Sequence, residues 1–238
     1  MKLELKPIEL KILTNFCKIN TNFLFKKNYP HFTTINTMRN IYAKFDIDRT
    51  FEKEFGIYDM HEFLTCCDYF TGGTIEVVEN TIKDITEHKI IFQKEKKMLE
   101  MYSSAPSVMV TPTKEPAIPK TDVTMHFTKD ILESILKTQR LLKAPDILIT
   151  EKGGEIIIKI LDKKNPTSNN FSYLTGQKTN RGDFKVYLKV ECFEPLFLSD
   201  YKVNISVKRI VHFQNIYQPL QYFIATEPDS SFKTSEDK

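Results

Sequence analysis

Two stretches of the chain repeat apolar residues at the spacing of an amphipathic helix. Residues 7–18 and 128–143 both place them three or four positions apart, which puts them on one face. Pro7 suits the first turn of the first helix, Thr128 can cap the start of the second, and Pro145 ends it. The predicted buried faces are Ile8, Ile12, Leu13, Phe16 and Ile19 in the first helix and Ile131, Leu132, Ile135, Leu136 and Leu142 in the second.

Most of the other apolar residues lie in short runs that favour β-strands. Residues 41–47 alternate apolar and polar positions, as a strand with one buried face does. Asp59 can cap a further short helix that ends near Tyr69, and one or two helical turns are predicted in residues 192–198. The other predicted strands are Phe23–Phe25, His31–Ile35, a strand ending at Tyr58, Ile75–Val78, Ile82–Thr86, Lys89–Phe92, Val123–Phe127, Ile147–Thr150, Glu155–Leu161, Phe171–Leu174, Phe184–Val190, Tyr201–Ile210 and Gln221–Glu227.

The order of these predicted elements occurs twice. Residues 5–99 and 123–227 each give a helix, several strands, a strand followed by a short helix, and further strands. Between them lies a segment with four prolines, APSVMVTPTKEPAIP, which we expect to be extended and to lie against the body. We therefore predict an α+β protein of two tandem domains, residues 1–104 and 122–238, joined by a strap of residues 105–121.

Composition excludes several kinds of site. Only 7 of the 238 residues are Gly, which argues against a glycine-rich loop that cradles a nucleotide. The four Cys residues form no Cys-x-x-Cys pair and the five His residues are dispersed, so we predict no metal and no cofactor. The first residues have no apolar core of a signal peptide, and no stretch approaches the ~18 apolar residues of a membrane span. The net charge of +3 is too small to identify a partner by itself.

Both helices carry basic residues opposite their apolar faces. These residues are Lys11 and Lys18 on the first helix, and Lys129, Lys137 and Arg140 on the second. Lys6 and Lys143 flank the two stripes, and Glu133 lies four residues before Lys137, the spacing at which an acid and a base pair on a helix. Charge stripes are often no more than solvated faces. Because no catalytic group of residues accompanies them, the pattern favours a scaffold that holds a polyanion over an enzyme.

Several segments, in order along the chain, resemble one protein family. The segments are the opening MKL and LKILTNFCKIN, FGIYDMHEFL at residues 55–64, the proline-rich strap, YKVNISVKRI at residues 201–210, and QYFIATEPDSSF at residues 221–232. They are similar to the first helix, the passage into the second helix, the interdomain strap and the last strands of the sliding-clamp processivity factors of T-even-type bacteriophages. Each match is short, but their order and spacing make them specific together.

This resemblance implies a fold, an assembly and a set of partners. Each chain would form two clamp-fold domains with helices on the inner face of strand-rich sheets, and three chains would close head to tail into a homotrimeric ring around double-stranded DNA. An ATP-dependent clamp loader would open the ring. The ring would tether the replicative DNA polymerase and support late viral transcription, in the cytoplasm of the infected host cell. Lys11, Lys18, Lys129, Lys137 and Arg140 would then face the DNA.

By analogy with clamps in general, the C-terminal peptide of the polymerase would enter an apolar pocket. The candidates are Val108 and Val110 in the strap and Tyr222, Ile224 and Pro228 near the C-terminus. The alternative is that these residues only pack the core and the strap.

Two other functions fit the same composition. A β-rich structural protein of a virus particle would share the strand content and the lack of an active site. A nuclease would require a cluster of carboxylates that binds a divalent metal, and the sequence singles out no such cluster.

Overall fold

The polypeptide forms two compact units. The structure, a computed structural model, describes residues 1–82 and 85–233, with the backbone alone for residues 80–82 and 85–87. The first unit comprises residues Met1–Arg39 and Ala43–Thr113, and the second comprises Asn40–Tyr42 and Lys114–Lys238.

The first unit is a strand-rich body that carries two helices among the described residues. Its elements are α1 (Pro7–Phe16), β1 (Phe23–Phe25), β2 (His31–Ile35), β3 (Ile41–Asp46), β4 (Phe55–Ile57), α2 (Met60–Tyr69), β5 (Thr74–Ile82), β6 (Ile85–Lys94) and β7 (Lys97–Tyr102), followed by a 3-10 turn at Pro106–Val108.

The second unit has the same general order with one long helix. Its elements are β8 (Val123–Phe127), α3 (Lys129–Leu142), β9 (Asp146–Lys152), β10 (Glu155–Leu161), β11 (Phe171–Lys178), β12 (Phe184–Lys189), a 3-10 turn at Val190–Cys192, β13 (Tyr201–Ser206), β14 (Ile210–Asn215), β15 (Leu220–Ala225) and β16 (Ser231–Phe232).

Phenylalanine rings fill the core of the first unit. Strand β1 pairs with β4, and β5, β6 and β7 form an antiparallel sheet in that order. Phe25 stacks on Phe55 with ring centroids 4.6 Å apart, and the edge of Phe32 meets Phe25 at 5.7 Å. Helix α1 adds Ile12, Leu13 and Phe16, all fully buried, so its apolar face is committed to this core.

The second unit encloses its core between α3 and two antiparallel sheets. One sheet has the strand order β11-β10-β9-β12-β16, and β8-β13-β14-β15 are neighbours in another. The apolar face of α3 packs against β10. The side chain of Gln177 on β11 pairs with backbone groups at the edge of β8. Its amide oxygen accepts from the N–H of His126 at 2.6 Å, and its amide nitrogen donates to the His126 carbonyl at 2.7 Å.

A buried carboxylate in α1 is the least expected feature of the first unit. The side chain of Glu9 is only 2% exposed, and both its oxygens accept hydrogen bonds from Arg49, Oε1 from Nη1 at 2.6 Å and Oε2 from Nη2 at 2.7 Å. Glu9 Oε2 also accepts from the N–H of Lys6 at 2.8 Å, which satisfies a backbone donor at the helix start. Hydrogen bonds to Glu9 raise the pKa of Arg49 above its ordinary value.

The helix predictions are largely confirmed. Asp59 Oδ1 accepts from the N–H groups of His61 and Glu62 at 2.9 and 3.2 Å, so it caps α2 as expected. Helix α1 ends at Phe16 rather than at residue 18, which leaves Lys18 in the turn that follows. The helical segment predicted in residues 192–198 is reduced to the 3-10 turn that starts at Val190.

Three strands were not predicted from the sequence. The turns before β7 and β14 contain no Gly or Pro, and β16 is only two residues long. β7 follows a tight turn in which Glu95 has φ 53°, and β14 follows one in which Arg209 has φ 62°. Both residues adopt the left-handed region that sequence reasoning reserves for Gly or Asn. The short β16 pairs with β12. The predicted strand Ile82–Thr86 includes residues 83 and 84, which lie outside the described residues; Ile82 ends β5 and Ile85 begins β6.

No described helix has the length and apolar composition needed to cross a membrane.

Replacing Arg49 by Met tests the buried ion pair. The Glu9 carboxylate would stay buried without its cation, and we expect the free energy of unfolding to fall by about 3 kcal/mol, as when one member of a buried pair is removed. Urea titration followed by circular dichroism measures the loss. The matched double variant Glu9→Gln, Arg49→Met removes both charges and should recover part of it. Equal stability of Arg49→Met and the parent chain would show that this pair does not stabilise the fold.

Candidate nucleic-acid interface and partner pocket

Helix α3 is fixed at both ends by hydrogen bonds. Thr128 Oγ1 accepts from the N–H of Ile131 at 3.3 Å, which confirms the predicted cap, and Asp200 Oδ1 accepts from the N–H of Lys129 at 2.7 Å. The hydrogen bonds from the Lys129 N–H and from the Tyr217 hydroxyl hold the pKa of Asp200 below its ordinary value. At the other end Lys143 adopts φ 51° and its N–H donates to the carbonyl of Gln139 at 2.7 Å.

Burial of one face of α3 determines where its charges lie. Ile131, Leu132 and Ile135 are buried, as predicted, whereas Leu136 and Leu142 are only half-buried. The predicted basic residues Lys129, Lys137 and Arg140 are therefore all exposed. We call the exposed residues Lys129, Lys137 and Arg140 with the half-buried Glu133 the α3 basic face.

The α3 basic face contains an ion-pair bridge. Glu133 Oε2 lies 3.6 Å from Lys137 Nζ, which confirms the predicted pair. Its other oxygen, Oε1, lies 3.7 Å from Lys129 Nζ, a contact that the sequence analysis did not anticipate. Leu141, on the same exposed side of the helix, was also missed; its side chain is 81% exposed. Its helical spacing from Lys137 was the available signal.

Helix α1 exposes a smaller basic face. Lys11 is exposed, and Thr14 on the same side is also exposed, with its hydroxyl donating to the carbonyl of Leu10 at 2.8 Å. Lys18 is exposed in the turn after the helix. Lys6 is less available than these two because its Nζ lies 2.5 Å from Asp48 Oδ2. Lys6 lowers the pKa of Asp48.

Helix α2 and the 3-10 turn of the second unit are not basic. Helix α2 has no Lys or Arg and exposes His61, Glu62 and Asp68. The 3-10 turn at Val190–Cys192 exposes Glu191. Within the described part of the chain, positive charge on helices is therefore concentrated on α1 and α3.

The predicted pocket residues divide into surface and core positions. In the first unit, Val108 is 58% exposed and Val110 is half-buried, with its N–H held by Asn22 Oδ1 at 3.1 Å. In the second unit Pro228 is exposed, but the Tyr222 and Ile224 side chains are fully buried. Fully buried side chains offer no surface to an incoming peptide.

Tyr222 has an evident role in the core. Its hydroxyl oxygen accepts from the N–H of Phe197 at 3.2 Å, and burial raises its pKa well above the ordinary value. Of the five candidates, Val108 and Pro228 are exposed and Val110 is half-buried.

The described thiols and carboxylates show no arrangement typical of a thiol or metal site. Burial raises the pKa of Cys17 to about 11 and that of Cys67 and Cys192 to about 12, so these groups stay protonated and unreactive. Among residues 1–82 and 85–233, no group of three or more His, Cys, Asp or Glu side chains is placed to hold a metal ion.

Comparison with known proteins shows which proteins this chain is similar to. The model of the family described as DNA polymerase processivity factor matches residues 6–111. A relative from Vibrio phage KVP40, named sliding clamp, is 27% identical over 233 residues, which cover 95% of this chain and 99% of that protein. The sliding clamp of Escherichia phage RB69 is 22% identical over 205 residues, which cover 78% of this chain and 87% of that protein. The chain is therefore similar to phage sliding clamps over most of its length.

Solved structures show the same fold at low sequence identity. PCNA from Thermococcus kodakaraensis superposes with a TM-score of 0.64 at 10% identity, over 95% of this chain and 99% of that one. Proliferating cellular nuclear antigen from Entamoeba histolytica also gives 0.64, at 11% identity, over 92% and 94% of the two chains. The predicted α+β clamp fold and the resemblance to T-even-type clamps are thus confirmed.

The comparisons also bear on the functions left open by the sequence. A processivity factor assists a polymerase and catalyses no reaction itself, so the prediction of a non-enzymatic protein is confirmed. The nuclease and the virion component are both set aside in favour of the sliding clamp.

Charge reversal tests whether the α3 basic face of this clamp contacts DNA. For the double variant Lys137→Glu, Arg140→Glu, we expect weaker binding to a short linear duplex and a salt dependence shallower by about 2 in log–log slope, because two phosphate contacts are lost. Fluorescence anisotropy over a NaCl series measures both quantities. The matched control Lys164→Glu, Lys208→Glu reverses two exposed charges outside helices and should bind more tightly than the α3 variant. Identical binding by the two variants would show that the α3 face does not contact DNA.

Proposed function

We propose that this chain closes with two further copies into a ring that encircles duplex DNA and tethers the replicative polymerase. Residues 1–104 and 122–238 would be its two clamp domains, and residues 105–121 the strap between them. The observation that carries the proposal is that the apolar faces of α1 and α3 are buried in sheet cores, which leaves the basic faces of both helices exposed.

Weak attraction is what a sliding ring needs. A closed ring stays on DNA because of its topology, and tight binding would slow its movement. Lys and Arg attract phosphates without reading sequence, through the release of counterions. The exposed residues Lys11, Lys18, Lys129, Lys137 and Arg140 would supply this attraction, and the acidic α2 and the turn at Val190–Cys192 would not.

Two strand edges support self-assembly. In the described residues, β7 is paired through β6 alone and β11 through β10 alone, so each exposes backbone donors and acceptors on its other side. An edge of this kind binds another strand unless it is blocked by charge or covered. Joining β7 of one chain to β11 of the next is a head-to-tail contact, which generates a ring when the rotation closes.

The apolar rows at both edges are incomplete in the same way. On β7, Leu99 and Met101 lie opposite the fully buried Phe92 and Ile90 but are only half-buried themselves. On β11 the half-buried residues are Phe171 and Tyr173, opposite the fully buried Ile160 and Ile158. A neighbouring strand would cover both rows, and burial of apolar surface would stabilise the contact.

The partners of the ring follow from the same proposal. An ATP-dependent loader would be needed to open a closed ring on DNA that lacks ends. The C-terminal peptide of the polymerase would dock on the strap surface that contains Val108 and Val110. Pro228 is a separate exposed candidate in the second unit. We further propose that the ring supports late viral transcription, and that it acts in the cytoplasm of the infected host cell.

Primer extension on a long single-stranded template tests the function itself. With the cognate polymerase, loader and ATP, we expect the chain to lengthen the product made in one binding event, measured with excess trap DNA. Omission of the loader or ATP should abolish the effect. Product lengths that are unchanged by this chain would refute the proposed function.

Edge variants test ring closure. Wild-type protein is expected to have three times the 27.8 kDa chain mass in light scattering. Leu99→Asp and Tyr173→Asp each place a carboxylate in a row that must be covered, so each variant should shift to the monomer mass. The matched control Ser172→Asp puts the same group on the exposed side of β11 and should stay trimeric. Trimers in both edge variants would move the interface elsewhere.

A single exposed residue tests the peptide site. Val108→Glu should weaken binding of the C-terminal peptide of the cognate polymerase roughly tenfold, because burial of a valine contributes about 1.5 kcal/mol. Isothermal titration calorimetry measures the affinity. Ser107→Glu adds the same charge at the neighbouring exposed position and serves as the control. If both variants bind like the parent chain, the peptide docks away from the strap.

A further inference from the structure

One acidic residue interrupts the α3 basic face. The carboxylate of Glu133 lies between Lys129 and Lys137, one helical turn from each, with N–O distances of 3.7 and 3.6 Å. Each of its oxygens is directed to a different lysine. Two of the three cations of the α3 basic face therefore share one anion.

Stabilisation of the helix does not explain this arrangement well. The lysine side chains are 54% and 75% exposed, and exposed ion pairs at this spacing stabilise a helix only slightly. The order of Lys129 before Glu133 is also the weaker of the two orientations. Helix α3 already has Thr128 and Asp200 at its start and a buried apolar face.

The bridge has a direct consequence for phosphate binding. A lysine that contacts Glu133 must weaken or leave this contact before it binds a phosphate oxygen, because both anions compete for the same ammonium group. Part of the attraction between helix and DNA is thus offset by the lost contact. The exposed Arg140 forms no ion pair with any described residue and would carry more of the attraction for its charge.

We propose that Glu133 is a positioning residue that competes with DNA phosphates for Lys129 and Lys137 and thereby keeps the attraction between ring and duplex weak. This inference rests on the proposed function, because it assigns a role to the same surface. Glu133 touches no DNA in this account. It acts through the two lysines, and its role is to limit the number of phosphate contacts that the helix holds at one time.

The isosteric variant Glu133→Gln tests the proposal. Binding to a short linear duplex is measured by fluorescence anisotropy over a NaCl series, and light scattering confirms the same oligomer. We expect tighter binding at low salt and a log–log salt dependence steeper by about 1 to 2, since one or two lysines become free for phosphate. On loaded circular DNA the variant should also diffuse more slowly. An unchanged salt slope would overturn the role of Glu133.

Two controls separate competition from net charge. Asp130→Asn adds the same charge on the exposed side of the same helix but leaves the bridge in place. It should change the slope less than Glu133→Gln, and an equal change would overturn the competition. With Lys129 and Lys137 both replaced by Gln, Glu133→Gln should have little further effect.

If wild-type protein shows no salt-dependent DNA binding, the proposed function itself fails. Normal wild-type binding with no response to Glu133→Gln refutes only the role of Glu133.

Discussion

Burial of one helix face is the constraint on which this structure depends. An amphipathic helix on a sheet has one apolar side, and once that side is packed the direction of every other side chain is fixed. In α3 the fully buried Leu132 and Ile135 set this direction, and Lys137 on the other side is exposed as a result. The electrostatics of the candidate DNA surface are in this sense a product of core packing.

The same logic extends from the helices to the edges of the sheets. Leu99 and Tyr173 belong to rows of apolar side chains that are fully buried on β6 and β10 but only half-buried on the edge strands β7 and β11. A monomer leaves these rows unfinished, whereas the head-to-tail assembly that we propose would complete them with a second copy. The half-buried edges supply a physical reason for the assembly that we propose.

The sequence predicted those elements whose signals are local. The apolar spacing of α3, the cap at Asp59 and the alternation of residues 41–47 were enough to place two helices and a strand. It failed at β7 and β14, because Glu95 and Arg209 take the backbone conformation normally supplied by Gly. Such turns are stabilised by the pairing of the strands on either side, which is a non-local effect.

Among the candidate site residues, too, those with a local signal were predicted correctly and the others were not. Exposure of Lys129, Lys137 and Arg140 followed from helical spacing, and so did the Glu133–Lys137 pair. The pocket assignment of Tyr222 and Ile224 was made by analogy, and both side chains prove to be buried. In a strand, which of two alternating faces meets the core depends on the neighbouring strands, so the sequence of β15 alone could not decide it.

The central claim is that the chain holds DNA by encircling it, and retention on circular DNA tests this most directly. Protein loaded with loader and ATP onto a nicked plasmid is separated from free protein by gel filtration in high salt, before and after the plasmid is cut once with a restriction enzyme. We predict that the protein stays with the circle and is lost from the linear molecule, because only the ends allow a ring to slide off. Equal retention on both forms, or loss from both, would contradict the account.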